Sequence, residues 1–370
     1  MIRGVPQHVL MTSDAVGGVW TYAMELCRGL TQRGCRVTLA NFGPYASHQQ
    51  QAEVASIPNL RMLQRALRLE WMDDAWDDVA KAGEWLLELE QDLKPEIIHL
   101  NGYCHGALPW RAPTVIVGHS CVCSWWQHVK GECIPERHSR YRGAVAEGLR
   151  AAHLVITPTG AMLSDLREQY GDGWEGQVIP NGRDPHGFHR QPKEPLIFSC
   201  GRLWDEAKNI QVLDRAAASV PWPVYVAGSV QHPSGRTFQS ESLHTLGVLP
   251  LPAMTDWYSR AAIYAAPARY EPFGLSVLEA ALSGCALVLA NIATFRELWN
   301  GAALFVEPDN VAAWAKALTD LAESPAMRKE LSDAAWRRAG TFSTERMVDG
   351  YLLAYEDVLN RMARRMACAS

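Results

Sequence analysis

The sequence lacks the signatures of several large protein classes, and each absence narrows what it can be. Its nine cysteines include no CxxC pair, and Cys121 and Cys123, one residue apart, suit neither a zinc knuckle nor a dithiol redox motif. Free, mostly buried thiols in a reducing cytoplasm are therefore expected. No apolar run reaches the roughly 18 to 20 residues that a membrane-spanning helix needs. Residues Met1 to Gln7 lack the basic, apolar and small-residue progression of an export signal. Basic residues are not in excess: 35 Lys and Arg meet 40 Asp and Glu, for a formal net charge of −5. That excludes a general nucleic-acid binder, which needs clustered positive charge.

Common catalytic signatures are missing too. There is no GxxxxGK[ST] loop, no GxGxxG after the first expected strand, and no GxSxG elbow; Gly118-His119-Ser120-Cys121 is not one. There is no HExxH, and the 12 His are scattered, so no metal site is expected.

What is present is a strand–helix alternation along 370 residues, a length that suggests two domains. Strands are expected at Val9–Thr12, Val37–Ala40, Ile97–Leu100, Val115–Val117, Leu154–Thr157 and Val178–Ile179. After a Pro- and Gly-rich stretch from Asn181 to Pro195 they resume at Leu196–Cys200, Val224–Ala227, Ile263–Ala266, Leu287–Ala290 and Leu304–Val306. Helices fall between them, including Trp76–Leu93, and the tail is helical: Val311–Leu321, Ala326–Arg338 and Thr344 to about Met366. Such alternation predicts an α/β protein of two Rossmann-like halves, 1–187 and 188–343, with ligands at the carboxyl ends of the strands. Charge does not distinguish the halves, since residues 1–185 hold 17 Lys/Arg against 21 Asp/Glu. A basic cluster at Arg137, Arg140, Arg142 and Arg150 is expected to be a solvated helix face. Trp, at 14, outnumbers Tyr at 11 and Phe at 8, and suits either core filling or ring stacking.

Three segments carry chemistry. Glu271-Pro-Phe-Gly-Leu-Ser-Val-Leu-Glu279 follows a strand and runs into a helix, placing two carboxylates on either side of a helix N-terminus. The first-turn amides of Gly274, Leu275 and Ser276 lack intrahelical partners and favour a phosphate. A plain loop with a capped helix has the same pattern. Gly201-Arg-Leu-Trp-Asp-Glu-Ala-Lys208-Asn209 brings Arg202 and Lys208 to a strand end, suited to a diphosphate or simply to surface salt bridges. Gly17 and Gly18, before the first helix, allow close backbone approach to a ligand or a tight turn.

Taken in order, Gly17-Gly18, His119, Ile179-Pro-Asn-Gly182, Gly201 to Lys208 and Glu271 to Glu279 resemble the GT-B retaining glycosyltransferases of family 4, across nearly the whole chain. The resemblance implies two Rossmann-like domains facing each other across a cleft, with helix 344–370 returning to the first. It implies a nucleoside-diphosphate sugar as donor and co-substrate, no cofactor and no metal. Arg202 and Lys208 would hold the diphosphate, Glu279 the ribose hydroxyls, and Glu271 the donor sugar. The backbone of Phe273, Gly274, Leu275 and Ser276 would surround sugar and phosphate, with Gly17 and Gly18 closing over the phosphates. His119 would lie at the reacting centre, so His119, Glu271, Arg202 and Lys208 form the expected catalytic set. This chain departs from the commoner pattern at Ser120, Asn209 and Ala268.

The acceptor is expected on the N-terminal half, near Asn101, His105, Trp125 and Trp126, with one Trp of the pair in the core. It would be a sugar, a lipid-linked sugar or a small molecule; nucleic acid is not a partner. Location would be cytoplasmic, with peripheral membrane association left open. Other readings of the same residues are a GT-B epimerase, a phosphorylase, or a non-catalytic sugar-nucleotide-binding subunit.

Overall fold

The computed structural model describes residues 5–231, 235 and 237–369. Residues 1–4, part of the segment read for an export signal, lie outside it, as does the side chain of Cys368. Contacts divide the chain into two compact units. The first holds Met1–Ser124, Cys133–Gly182 and Thr344–Ser370; the second holds Trp125–Glu132 and Arg183–Ser343.

The first unit contains β1 (His8–Asp14), β2 (Arg36–Phe42), β3 (Leu60–Gln64), β4 (Ile97–Leu100), β5 (Thr114–Val117), β6 (Leu154–Thr157) and β7 (Gly176–Val178). They form one parallel sheet in the order β3-β2-β1-β4-β5-β6-β7. Both faces are covered by helices, so β1, β4, β5 and β6 are apolar runs rather than alternating ones. The helix Gly18–Gln32 buries Tyr22, Leu26 and Leu30, and stops where Gly34 turns with φ +89° and lets Cys35 N–H donate to Leu30 O. The C-terminal helix Thr344–Ala369 packs on it: Val348, Tyr351 and Tyr355 are buried, and Thr344 Oγ1 donates to Glu25 Oε2 at 2.6 Å.

The second unit contains β8 (Glu194–Cys200), β9 (Val224–Ala227), β10 (His244–Thr245), β11 (Ala261–Ala266), β12 (Ala286–Ala290) and β13 (Leu304–Val306), parallel in the order β10-β9-β8-β11-β12-β13. Its core joins Ile197, Phe198, Leu278, Leu287, Trp299 and Trp314. Each such side chain contributes about 1.5 to 3 kcal/mol by leaving water. Among the described residues no helix is long and apolar enough to cross a membrane. The cysteines described are free thiols, most of them buried. Arg137, Arg140, Arg142 and Arg150 are exposed, and Arg140 lies over the Trp76 ring.

Two boundaries differ from expectation. The change of unit comes at Gly182/Arg183 rather than near 188, because Arg183 N–H donates to Phe342 O and bridges to Ser343 before β8 begins. Residues Trp125–Glu132, expected with the N-terminal half, belong to the second unit. There a short helix, Val122–Trp125, runs into a widened turn, Trp126–Lys130. Lys130 Nζ pairs with Glu206 at 2.6 Å and the His128 ring stacks on Tyr270.

Candidate functional site

In each sheet the chain reverses its direction of strand addition once. In the second unit this happens between β8 and β11, in the first between β1 and β4. Loops leaving such a pair diverge and open a crevice at the carboxyl ends, where ligands of open α/β sheets bind. The candidate residues collect at these two places.

After β8 come residues Gly201–Asn209; after β11, Pro267–Gly274. Asn209, with φ +54°, braces them: its Nδ2 donates to Pro267 O at 3.1 Å and Pro308 O at 2.9 Å. Arg269 N–H donates to Ala207 O at 2.8 Å. Lys208 Nζ forms an ion pair with Glu271, and both line a small pocket with Ser199, Pro267, Ser276 and Phe295. Arg202 reaches Asp205 Oδ2 at 2.7 Å, while its guanidinium lies over the Trp204 ring. Asp205 also accepts from Ala207 N–H at 3.0 Å. Burial opposes ionisation of Asp205, but the Arg202 charge and hydrogen bonds, the Lys208 charge and the Ala207 amide prevail and hold its carboxyl below the usual range. Glu279, buried, pairs with Arg183 Nε at 2.9 Å, and the Arg183 guanidinium caps the Phe188 ring.

Gly274 caps the helix Leu275–Leu282 at φ +88°, and a Cβ there would come within 3.0 Å of the Phe295 ring. The left-handed φ favours glycine here, and a Cβ would also crowd the Phe295 ring. Phe273 is buried edge-on to Phe342, so only its backbone can serve a ligand. Leu275 and Ser276 are half-buried.

In the first unit, β1 ends at Asp14, whose Oδ1 accepts Val16 N–H at 2.7 Å. Gly17 then takes φ +73°, and Gly17 and Gly18 are exposed at the helix start. Beyond β4, Asn101 is pinned to β1: its N–H donates to Thr12 Oγ1 at 2.8 Å and its Nδ2 to Thr12 O at 2.7 Å. His119, after β5, is half-buried, with Nε2 at 2.8 Å from Asn101 Oδ1 and the Tyr22 ring edge-on at 4.4 Å. Burial first, and the neighbouring His99 second, push its pKa down to about 3. The imidazole is neutral at working pH. A pocket at this crevice is lined by Thr12, Asp14, Arg68, Trp71 and Asn101.

The other expected acceptor residues are held differently. His105 also borders that pocket, but its Nε2 donates to Val79 O at 3.0 Å and its ring packs on Phe42. Trp125 and Trp126 stand edge-to-face at 5.7 Å; both are half-buried, so neither is a core residue, and Lys130 Nζ lies 5.9 Å over Trp125. They belong to the second unit because their segment leaves β5 and folds with Tyr270 and Glu206. Sequence reasoning missed Arg183, Asp205, Asn209 and His99. Asp205 and Asn209 stood inside a segment already singled out; Arg183 and His99 carried no local signal.

Two parallel Rossmann-like sheets, each with candidate residues gathered at its switch point, match the architecture of the GT-B glycosyltransferases. A family model described as "Glycosyltransferase Family 4" matches residues 16–186, and one described as "Glycosyl transferases group 1" matches 194–324. The chain is 29% identical to the D-inositol 3-phosphate glycosyltransferase of Kribbella flavida over 95% of its own length and 93% of the relative's. It is 26% identical to the protein of that name from Rhodococcus erythropolis, over 93% and 87%. Its fold is that of a sucrose-phosphate synthase from Thermosynechococcus elongatus (TM-score 0.76, 19% identity, 98% of this chain and 100% of that one). Anabaena HepE, solved with UDP-glucose, is also similar (TM-score 0.76, 15% identity, 96% and 99%). The chain belongs to glycosyltransferase family 4.

Proposed function

We propose that this enzyme moves a sugar from a nucleoside-diphosphate sugar to an acceptor hydroxyl, with retention of anomeric configuration and without a metal. The observation that carries this reading is the set of three cation–carboxylate pairs at the second unit's switch point: Arg202–Asp205, Lys208–Glu271 and Arg183–Glu279. A diphosphate would draw Arg202 and Lys208 from their carboxylates, each charge-assisted hydrogen bond contributing about 1.5 to 3 kcal/mol. Glu271, released, would accept from donor sugar hydroxyls. Glu279, paired with Arg183, would accept from the ribose, and the open amides at Gly274, Leu275 and Ser276 would meet phosphate oxygens. UDP-glucose in HepE supports a nucleotide sugar as donor class. The names of the relatives support a small polyhydroxylated ring as acceptor.

The chemistry is a front-face displacement. The acceptor oxygen attacks the anomeric carbon as its bond to the diphosphate breaks, and the departing phosphate oxygen takes the acceptor proton. The protein positions the partners and stabilises the negative charge that develops on the leaving group. The test is a panel of nucleotide sugars ranked by thermal shift, then incubation of the best binder with EDTA, with and without polyol acceptors. Transfer with an unchanged anomeric configuration in the NMR spectrum is expected. Inverted product, or activity lost in EDTA and restored by a divalent cation, would overturn retention or metal independence respectively.

A further inference from the structure

Asn101 sits between two imidazoles. Its Nδ2 donates to the Thr12 carbonyl at 2.7 Å, and a carbonyl can only accept, so Oδ1 must face the other way. There Oδ1 meets His119 Nε2 at 2.8 Å and His99 Nε2 at 3.2 Å. An amide oxygen can only accept as well, so both Nε2 atoms carry the proton. His99 Nδ1 is then a bare lone pair, and it takes the hydroxyl proton of Tyr355 at 2.6 Å. The directions agree along the whole chain: Tyr355 O–H to His99, His99 N–H to Asn101, and His119 N–H to the same oxygen. His119 differs from His99 in one respect. His99 is fully buried with both ring nitrogens engaged, whereas His119 is half-buried and its Nδ1 has no hydrogen bond among the described residues.

We infer that Asn101 is a positioning residue: it holds His119 as the Nε2–H tautomer, so that Nδ1 is a hydrogen-bond acceptor for a hydroxyl of the substrate, and His99 and Tyr355 hold Asn101. This rests on the proposed placement of His119 at the reacting centre. The acceptor lone pair matches a hydroxyl donor and repels a phosphate oxygen, so this ring nitrogen favours a sugar or polyol hydroxyl. The titratable groups facing the two imidazoles among the described residues are Tyr22, on the helix Gly18–Gln32, beside both His119 and His99 on β4, and Tyr351 and Tyr355, on the C-terminal helix, beside His99. Burial keeps all of them neutral: it lowers His99 to about 3 and raises the tyrosines.

The test uses the full chain labelled with 15N at histidine, with His119→Gln to assign the resonance. The wild type should show His119 as the neutral Nε2–H tautomer through the neutral pH range. Asn101→Asp puts a carboxylate beside the ring, which favours the imidazolium. Both nitrogens should then read as protonated, and kcat should fall about tenfold to a hundredfold, as when the outer partner of an oriented His is lost. The lost activity should return as pH rises through the elevated pKa, while the wild type shows no such limb and the KM for the nucleotide sugar is unchanged. A wild-type Nδ1–H signature, or an Asn101→Asp variant whose rate keeps the wild-type pH profile, overturns the inference. Should Asn101→Asp not fold, Tyr355→Phe removes only the hydroxyl, and unchanged His99 and His119 resonances would be equally fatal. If no nucleotide sugar is turned over, the proposed function falls, yet the tautomer spectrum still decides what Asn101 does.

Discussion

The two switch points sit at the same place in the topology of their sheets, yet the candidate residues at each meet different neighbours. At β8/β11, three carboxylates and three cations stand paired within one crevice. At β1/β4, the polar groups that meet His119 are amides, hydroxyls and neutral imidazoles. A diphosphate needs charge that is already ordered but free to change partners, since unpaired buried cations are costly to keep. A hydroxyl needs oriented lone pairs and N–H groups, and a full charge would bind water as readily. Near-neutral composition thus hides a local division of labour.

The comparison breaks most sharply at Lys208. In Lys208→Ala the donor diphosphate loses a fixed cation, and kcat should fall about a hundredfold to a thousandfold. The melting temperature should barely move, because Glu271 keeps some access to water, with a side chain 16% exposed. Arg202→Ala should behave alike. Turnover near that of the wild type in either would show that the paired crevice is only structural. Arg183 tests the buried end of the same crevice. Arg183→Met strands the Glu279 carboxylate and should cost about 3 kcal/mol by urea unfolding, with most of it recovered when Glu279→Gln is added. Equal stability of the single and double variants would dismiss the pair as an energetic unit.

How much of this was legible follows from where each signal lives. Ile97–Leu100, Leu154–Thr157, Val224–Ala227 and Leu304–Val306 form strands with the expected bounds, as continuous apolar runs do. Leu60–Gln64 and His244–Thr245 were invisible because they are short edge strands, partly or wholly exposed, and in the first only Leu60 and Met62 turn apolar side chains to the core. Arg202, Lys208, Glu271 and Glu279 stood out because local spacing around a strand end and a helix start displays them. Their pairings did not, since Arg183 and Glu279 lie far apart in the chain and meet only through the fold. His99 reads as one more strand residue until Tyr355, brought from the C-terminal helix, meets its ring. The Trp excess resolves in part: Trp299 and Trp314 are core, while Trp76, Trp85, Trp204, Trp222, Trp257 and Trp336 lie under guanidinium groups. Each such contact is worth about 0.5 to 1 kcal/mol where exposed.

A subtler contrast is in acid. Asp205 is ionised against burial by Arg202, so its folded pKa lies below its unfolded value near ~3.9. Its contribution to stability is whole above that value and is lost as pH falls through the folded pKa. Asp205→Asn should therefore be less stable than the wild type at neutral pH and show a flatter decline below about pH 4. Parallel acid limbs in the two proteins would mean that Asp205 is not held by charge.

The smallest effect expected is at Trp125 and Trp126, and it bears on which unit meets the acceptor. Both rings are half-buried, and Lys130 already covers part of Trp125. A sugar ring stacked on one of them would gain about 0.5 to 1.5 kcal/mol, so alanine there should raise the acceptor KM roughly twofold to tenfold. Trp126→Ala should show the larger rise, because stacking on Trp125 would first displace a cation. The KM for the nucleotide sugar should hold in both. If neither acceptor KM changes while Trp71→Ala, in the β1/β4 pocket, raises it, the acceptor is bound by the first unit's crevice alone. The segment Trp125–Glu132 would then serve only to brace the loop at Tyr270 beside Glu271.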